Sequence, residues 1–185
     1  MKGNAIVGQS GGPTAVINAS LVGLVEEALS SALVDSVYGM RYGIRGLLDG
    51  EIVDIGNVSL SRLDNIALTP GAALGSTRYK LSDDDLPAVI ERLKELSVRY
   101  FFLIGGNDTM DTIGRVESYA REAGYELRGV GIPKTVDNDL FGTDHTPGFP
   151  SAARDVALSV QQAGRLARDM QHVDQYAIYQ AIGRD

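Results

Sequence analysis

Glycines, carboxylates and hydroxyls that could do chemistry are concentrated in four short segments of the chain. The segments are SGGPTAVINA (10–19), GAALGSTRYK (71–80), GGNDTMD (105–111) and PKTVDND (133–139). Glycine turns bring backbone N–H groups up to a phosphate, and nearby arginine and lysine neutralise its charge. Carboxylates suit a magnesium ion or the removal of a proton. Together these residue types predict phosphoryl transfer, in which positioning and charge neutralisation supply most of the catalysis.

Each segment alone also has a purely structural explanation, and the residues leave both explanations open. Gly11-Gly12 could form only a turn between a strand and a helix. Asp108 and Thr109 could cap a helix, and the DND sequence at 137–139 could close a turn through its side chains. Arg78 could be a solvated surface arginine. The presence of all four segments in one chain favours a site for phosphoryl transfer.

Apolar runs alternate with amphipathic stretches along the chain. Runs typical of strands fall at residues 4–8, 33–38, 99–106, 127–133 and 175–183. Amphipathic patterns predict helices from Thr14 to Ser30, over 86–96, over 107–124 with a stop at Gly124, and from Phe149 to Met170. The alternation predicts an α/β fold with a doubly wound, mostly parallel sheet and helices on both faces. Ligands bind beyond the carboxyl ends of such strands, where the four segments fall.

Three details of this pattern are further expectations. Pro13 fits the first turn of the first helix, where its missing N–H is not needed. Residues 39–50, GMRYGIRGLLDG, are predicted to be a glycine-rich turn. The last helix is expected to bury one apolar stripe in the core, formed by Ala153, Val156, Val160, Ala163, Ala167 and Met170.

Composition argues against several other classes of protein. There is no cysteine, and the two histidines, His145 and His172, lie far apart, so a zinc site is not expected. The net charge of −7 comes without a basic stripe, which argues against a nucleic-acid partner. No run approaches the roughly 18 apolar residues needed to cross a membrane, and the start MKGNAIVGQS lacks a signal peptide. These observations predict a cytoplasmic protein without a membrane partner.

The order of the segments resembles the phosphofructokinase family, specifically its diphosphate-dependent branch. SGGPTAVINA is similar to the family's first glycine loop, GSTR to its second, GGND to its GGDG or GGDD motif and PKTVDND to its catalytic loop. AIGR, at 181–184, resembles the family's Met-Gly-Arg sugar-phosphate motif. The resemblance spans essentially all 185 residues but only about half of the family's longer chains. We therefore expect one donor-binding and catalytic lobe over residues 1–185, with a second lobe missing.

The resemblance implies phosphoryl transfer from diphosphate to O1 of fructose 6-phosphate, with Mg²⁺, in a homo-oligomer. We expect the reaction to be reversible, because diphosphate and the product ester are close in phosphoryl-transfer potential. Asp137 would be the general base that takes the proton from the sugar hydroxyl. The donor would be held by Gly11, Gly12, Arg78, Gly106, Asn107, Asp108 and Thr109. The sugar phosphate would meet Thr135, Asp137, Asp139, Ile182, Gly183 and Arg184, with Arg184 as its charge partner.

Two residues would select diphosphate over ATP. ATP-using relatives have glycine at the positions of Asp108 and Lys134. Asp108 would fill the space of the nucleotide's α-phosphate and repel its charge, while Lys134 would bind the donor and neutralise charge in the transition state. The resemblance thus gives catalytic roles to Asp137, Lys134, Asp108 and Thr135.

The chain departs from the family pattern at three positions. Asn107 replaces an aspartate that helps to hold magnesium in many relatives, so Asn107 and Asp108 are together assigned to the metal. Ile182 stands where methionine is common. Gln175 stands where ATP-using bacterial enzymes place an arginine that reaches a neighbouring subunit, so that contact would be lost.

Three alternative functions remain open. One is an ATP-dependent 6-phosphofructokinase, which Asp108 and Lys134 argue against. A second is a protein similar to NAD kinases or lipid kinases, which carry GGDG-type turns but lack the TVDND loop together with a terminal IGR. The third is a non-catalytic, phosphate-binding fragment, which would expose apolar surface where a second lobe should dock.

Overall fold

The computed structural model describes residues 1–173 and 176–181 and contains a five-stranded, mostly parallel sheet. The strands are β1 (Gly3–Gln9), β2 (Val34–Met40), β3 (Ile52–Asp54), β4 (Val98–Gly105) and β5 (Arg128–Pro133). Their order across the sheet is β3-β2-β1-β4-β5. Only β3, at one edge, runs antiparallel to its neighbour β2. The predicted α/β fold with a doubly wound, mostly parallel sheet is confirmed.

Six α-helices accompany the sheet within the residues that the structure describes. They are α1 (Ile17–Ser30), α2 (Gly43–Asp49), α3 (Leu60–Leu68), α4 (Leu86–Glu95), α5 (Asn107–Glu122) and α6 (Phe149–Asp169), with a short 3₁₀ turn at Asp83–Asp85 ahead of α4. The helix predicted over 86–96 is confirmed as α4. A capping box ahead of it joins Ser82 to Asp85.

The core lies in two layers, one on each face of the sheet. Successive strand residues point to opposite faces, so Ile6 of β1 joins one layer while Ala5 and Val7 join the other. The first layer is closed by α2, α4 and α5, and the second by α1 and α3. This arrangement fixes the sheet as a rigid platform for the loops at its carboxyl edge.

Several predicted boundaries are wrong. Helix α1 begins at Ile17 instead of Thr14, so Pro13 precedes the helix and does not lie in its first turn. The reason is that residues 13–16 follow the turn at Gly11 (φ +76°) and are held by a hydrogen bond from Gly71 N to Thr14 O. The helix α3 and the strand β3 were not predicted.

The predicted glycine-rich turn at 39–50 is wrong as well, because it contains α2. A Cβ on Gly46 would overlap the carbonyl oxygen of Arg41, and one on Gly43 would approach Gln9 O at 2.9 Å. These glycines therefore permit close packing of a short helix instead of breaking it.

Of the predictions for the end of the chain, the helix is confirmed, while the strand and the burial of the helix stripe are wrong where they can be compared. Residues 176–181 carry no strand, and 175, 182 and 183 lie outside the described residues. Helix α6 forms as predicted, but none of its six stripe residues is buried; Val160 is 46% exposed and Met170 40%. The core layers are both closed by other helices, which leaves α6 outside them. No helix in the described ranges is long and apolar enough to cross a membrane.

The sheet order creates a crevice at the carboxyl ends of β1 and β4. From β1 the chain moves outward to β2 and β3, and then returns to the other side of β1 as β4. The connections that leave β1 and β4 therefore diverge to opposite sides. This point in an open α/β sheet is the usual place for a ligand.

Candidate active site

A cleft of about 940 Å³ occupies this crevice, and all four segments singled out in the sequence line it. Its walls are the turn at 10–14, the loop at 77–81, the start of α5 and the loop at 134–139. Segments that lie more than a hundred residues apart in the sequence are thus brought into one site.

The turn after β1 is held between two cations. Gly11 needs its positive φ of 76°, a conformation that favours glycine. A Cβ built on Gly11 would lie 3.2 Å from Lys134 Nζ, and one on Gly12 would lie 3.8 Å from Arg78 Nη2. Arg78 therefore stands over the turn instead of pointing away from it. The arrangement places a positive charge beside each of the two glycines of the turn.

Lys134 is the most buried charged residue of the cleft. Lys134 is only 3% exposed, and its Nζ donates a hydrogen bond of 2.7 Å to Gly12 O. Its backbone N–H donates to Gly105 O over 2.9 Å, which joins the end of β5 to the end of β4. The ammonium is thus aimed at the glycine turn by a rigid strand end.

The start of α5 presents polar side chains to the cleft. Gly106 takes the N-cap position, so neither Asp108 nor Thr109 does. Thr109 lines the cleft but is only 5% exposed and packs against Gly105. Asp108 is exposed in the first turn, where the helix dipole favours a carboxylate.

Two charged residues of α5 that line the cleft were not among the predicted site residues. Asp111 and Arg115 follow Asp108 at helical spacing on the same face. Arg115 is fixed by an ion pair of 2.6 Å to Asp83 and a hydrogen bond of 2.7 Å to Leu81 O. The i, i+3, i+7 spacing was the signal that could have identified them.

The loop after β5 combines turn chemistry with cleft-lining carboxylates. Asn138 has a positive φ of 54°, and its side chain bonds Asp144 O (3.0 Å) and Thr146 N (2.8 Å). The structural explanation therefore holds for Asn138. Asp137 and Asp139 instead line the cleft, and Asp137 N donates to Thr135 Oγ1 over 3.1 Å.

Asn107 joins the start of α5 to this loop. Its Nδ2 donates to Asp139 Oδ2 over 2.7 Å. An aspartate at position 107 could not make this bond, so the asparagine changes how the two sides of the cleft are held together. Asn107 and Asp108, the predicted metal residues, and the neighbouring Asp139 offer hard oxygen donors, which suit Mg²⁺ when a substrate phosphate completes its shell. Within residues 1–173 and 176–181, no group of three or more His, Cys, Asp or Glu gathers as a metal cluster.

A tyrosine that lines the cleft is fixed by an aspartate. Tyr79 donates from its hydroxyl to Asp85 Oδ2 over 2.8 Å, which raises the pKa of Tyr79. Hydrogen bonds from the hydroxyl and N–H of Ser82, and then from Tyr79, lower the pKa of Asp85. The Arg45 guanidinium lies 5.3 Å from the ring centre of Tyr79.

Three of the predicted sugar-phosphate residues, Ile182, Gly183 and Arg184, lie outside the described residues, as does Gln175. The remaining predicted residues all line the cleft. Their individual roles stay predictions.

Comparison with known proteins agrees with this geometry. The phosphofructokinase family profile matches residues 4–185. A pyrophosphate--fructose 6-phosphate 1-phosphotransferase from Rhodospirillum rubrum is 49% identical, over 84% of this chain and 39% of its own length. One of the same name from Xanthomonas campestris is 43% identical, over 98% of this chain and 44% of its own length.

A solved structure is also similar. The pyrophosphate-dependent phosphofructokinase from Nitrosospira multiformis superposes with a TM-score of 0.88 at 38% identity, covering 92% of this chain and 43% of that one. The chain thus spans about two fifths of the length of these relatives. It belongs to the phosphofructokinase family, within which it resembles the diphosphate-dependent members.

Proposed function

We propose that residues 1–185 form the donor-binding and catalytic lobe of a diphosphate-dependent phosphofructokinase. The reaction breaks the P–O–P bond of diphosphate, releases phosphate and forms fructose 1,6-bisphosphate at O1 of fructose 6-phosphate. The observation that carries the proposal is the glycine turn held between Arg78 and Lys134 in one cleft with Asp108 and Asp137.

Donor binding follows from the charges around the turn. The N–H of Gly11 is already bonded to Thr77 O over 2.9 Å. The charge of the donor is therefore met chiefly by the guanidinium of Arg78 and the ammonium of Lys134. Lys134 is buried, where charge interactions are stronger than in water, whereas Arg78 is exposed and lies beside the turn.

Selection of diphosphate follows from Asp108 and Lys134 together. The carboxylate of Asp108 repels the additional phosphate of a nucleotide, and Lys134 supplies charge that favours the smaller donor. Asp111 adds a second carboxylate on the same face of α5. The pair is the reason to prefer diphosphate over the ATP-dependent alternative.

Proton transfer is assigned to Asp137. Its exposed carboxylate can reach a sugar hydroxyl that enters the cleft, while its N–H bond to Thr135 Oγ1 fixes the start of the loop. The bond from Asn107 to Asp139 holds the other end of the loop. A magnesium ion bound at Asn107 and Asp108, beside Asp139, would neutralise charge on the donor oxygens.

The remaining parts of the proposal concern the contacts of the fructose phosphate, the cellular location and the oligomeric state. Ile182, Gly183 and Arg184 would contact the fructose phosphate. The enzyme would act as a cytoplasmic homo-oligomer. Sedimentation of the purified chain checks the oligomer, which a purely monomeric species would contradict.

The decisive experiment is an assay of fructose 1,6-bisphosphate formation by this chain in magnesium buffer, with diphosphate and ATP compared side by side. We expect product with diphosphate and none with ATP. Asp137→Asn should abolish it, whereas Asp84→Asn, which removes an exposed carboxylate outside the cleft, should not.

The other outcomes separate the alternatives. Product with ATP alone would contradict the assignment of Asp108 and Lys134. If neither donor gives product, calorimetric titration with inorganic diphosphate decides between a non-catalytic phosphate-binding lobe and a protein of another function.

A further inference from the structure

Two buried side-chain amides meet behind the glycine turn. Gln9 ends β1 and is 0% exposed, and Asn18 lies in the first turn of α1 and is 2% exposed. Gln9 Nε2 donates to Asn18 Oδ1 over 2.9 Å. Burying such groups is costly unless their hydrogen bonds are made, so their other partners indicate what the pair does.

Three further hydrogen bonds of this pair go to the backbone of one loop. Asn18 Nδ2 donates to Thr69 O over 2.8 Å, and Asn18 Oδ1 accepts from Ala73 N over 2.8 Å. Gln9 Oε1 accepts from Leu74 N over 2.9 Å. The two amides therefore hold both ends of the segment 69–74 against the first strand and helix.

The same loop continues into Arg78 and crosses the glycine turn. Thr77 O accepts from Gly11 N over 2.9 Å, and the hydroxyl of Ser76 donates to Gly11 O. Arg78 Nη2 comes within 3.8 Å of the position that a Cβ on Gly12 would occupy. The place of Arg78 over the turn thus depends on how the preceding residues of the loop are anchored.

We propose that Gln9 and Asn18 are positioning residues that set the place of Arg78 and, through it, the affinity for the phosphoryl donor. A guanidinium binds a phosphate well only when its planar N–H groups meet the oxygens in register. Neither amide is among the residues that line the cleft, so their effect passes through the loop. The identity of the donor as diphosphate rests on the proposed function, but the anchorage does not.

Hydrogen exchange tests the anchorage without any ligand. Asn18→Ser should speed exchange at Ala73 N, which Asn18 bonds directly, and also at Gly11 N, which it does not touch. Exchange in β4 should stay unchanged. Acceleration at Ala73 alone would overturn the proposal, because Asn18 would then stabilise only its own turn.

The control is Asn57→Ser, an exposed asparagine that bonds Asp54 away from this loop. If Asn18→Ser does not fold, Gln9→Met removes the other end of the pair.

Calorimetric titration with inorganic diphosphate in magnesium buffer tests the consequence. Asn18→Ser should weaken binding about tenfold, the size expected for one mispositioned hydrogen-bonding cation. In an Arg78→Gln background the same substitution should add nothing, because the effect passes through Arg78. Equal losses in both backgrounds would overturn the proposal. If the unsubstituted chain binds no diphosphate, the proposed function fails, while exchange at Gly11 still decides the anchorage.

Discussion

At the scale of single residues, the proposed function makes donor choice depend on the carboxylate of Asp108 and the ammonium of Lys134, which line one cleft. We predict that Asp108→Gly combined with Lys134→Gly raises the ratio of ATP to diphosphate turnover by about tenfold or more, because both space and charge then suit a nucleotide. The measurement is kcat/KM for each donor. Asp84→Gly, which alters an exposed aspartate outside the cleft, should leave the ratio unchanged. An unaltered ratio in the double variant would contradict the steric and electrostatic account.

Many of the polar residues that line the cleft were identifiable from the sequence because their segments follow apolar runs. Strand ends meet at one edge of a parallel sheet, so Gly12, Asp108 and Lys134 could be grouped without coordinates, whereas Arg78 lies in the loop after α3 and its place over the turn is seen only in the structure. The contacts between side chains could not be predicted from the sequence. The bond from Asn107 to Asp139 joins residues 32 apart, and its existence depends on how two loops face each other.

At the scale of elements, the close packing of Gly46 explains why the short helix α2 was mistaken for a turn, and Gly23 of α1 provides a contrast. Gly46 has no room for a Cβ beside Arg41 O, whereas Gly23 in α1 has nothing within 4 Å. We predict that Gly46→Ala lowers the free energy of unfolding by about 2 kcal/mol or more through overpacking. Gly23→Ala should raise it by roughly 0.5–1 kcal/mol, because alanine favours the helix. Urea denaturation of both variants measures the difference. Equal effects would contradict the packing explanation for α2.

The hydrogen bonds at the start of α4 can be tested by measuring stability against unfolding at different pH values. The pKa of Asp85 is lowered by hydrogen bonds from Ser82 and Tyr79, so the folded pKa lies below the ordinary value of 3.8. A depressed carboxyl pKa stabilises the fold above the unfolded pKa and loses that contribution as pH falls through the folded value. We predict that Asp85→Asn is less stable than the parent at pH 7 and that the difference shrinks below about pH 4. Thermal unfolding across this range measures it, with Asp84→Asn as the control. A difference that is constant with pH would contradict the assignment.

At the scale of the whole molecule, the hydrophobic core is confined to the two faces of the sheet. The apolar stripe of α6 fits a core helix by its period, so the sequence alone gave no reason to leave it outside. Periodicity reports that one face of a helix is apolar, but it cannot identify what covers that face. Only the placement of the other helices shows that both core layers are already closed.

This difference between α4 and α6 leads to a last prediction. Leu93 of α4 is 0% exposed and Leu166 of α6 is 65% exposed, although both lie in amphipathic helices. Leu93→Ala should lower the free energy of unfolding by about 2–5 kcal/mol, through lost burial and a cavity. Leu166→Ala should change it by less than about 0.5 kcal/mol, because little apolar surface is returned to water. Urea denaturation of the purified chain gives both values. A large loss at Leu166 would mean that α6 is covered in solution, and the oligomeric state of that variant would then show whether a second copy covers it.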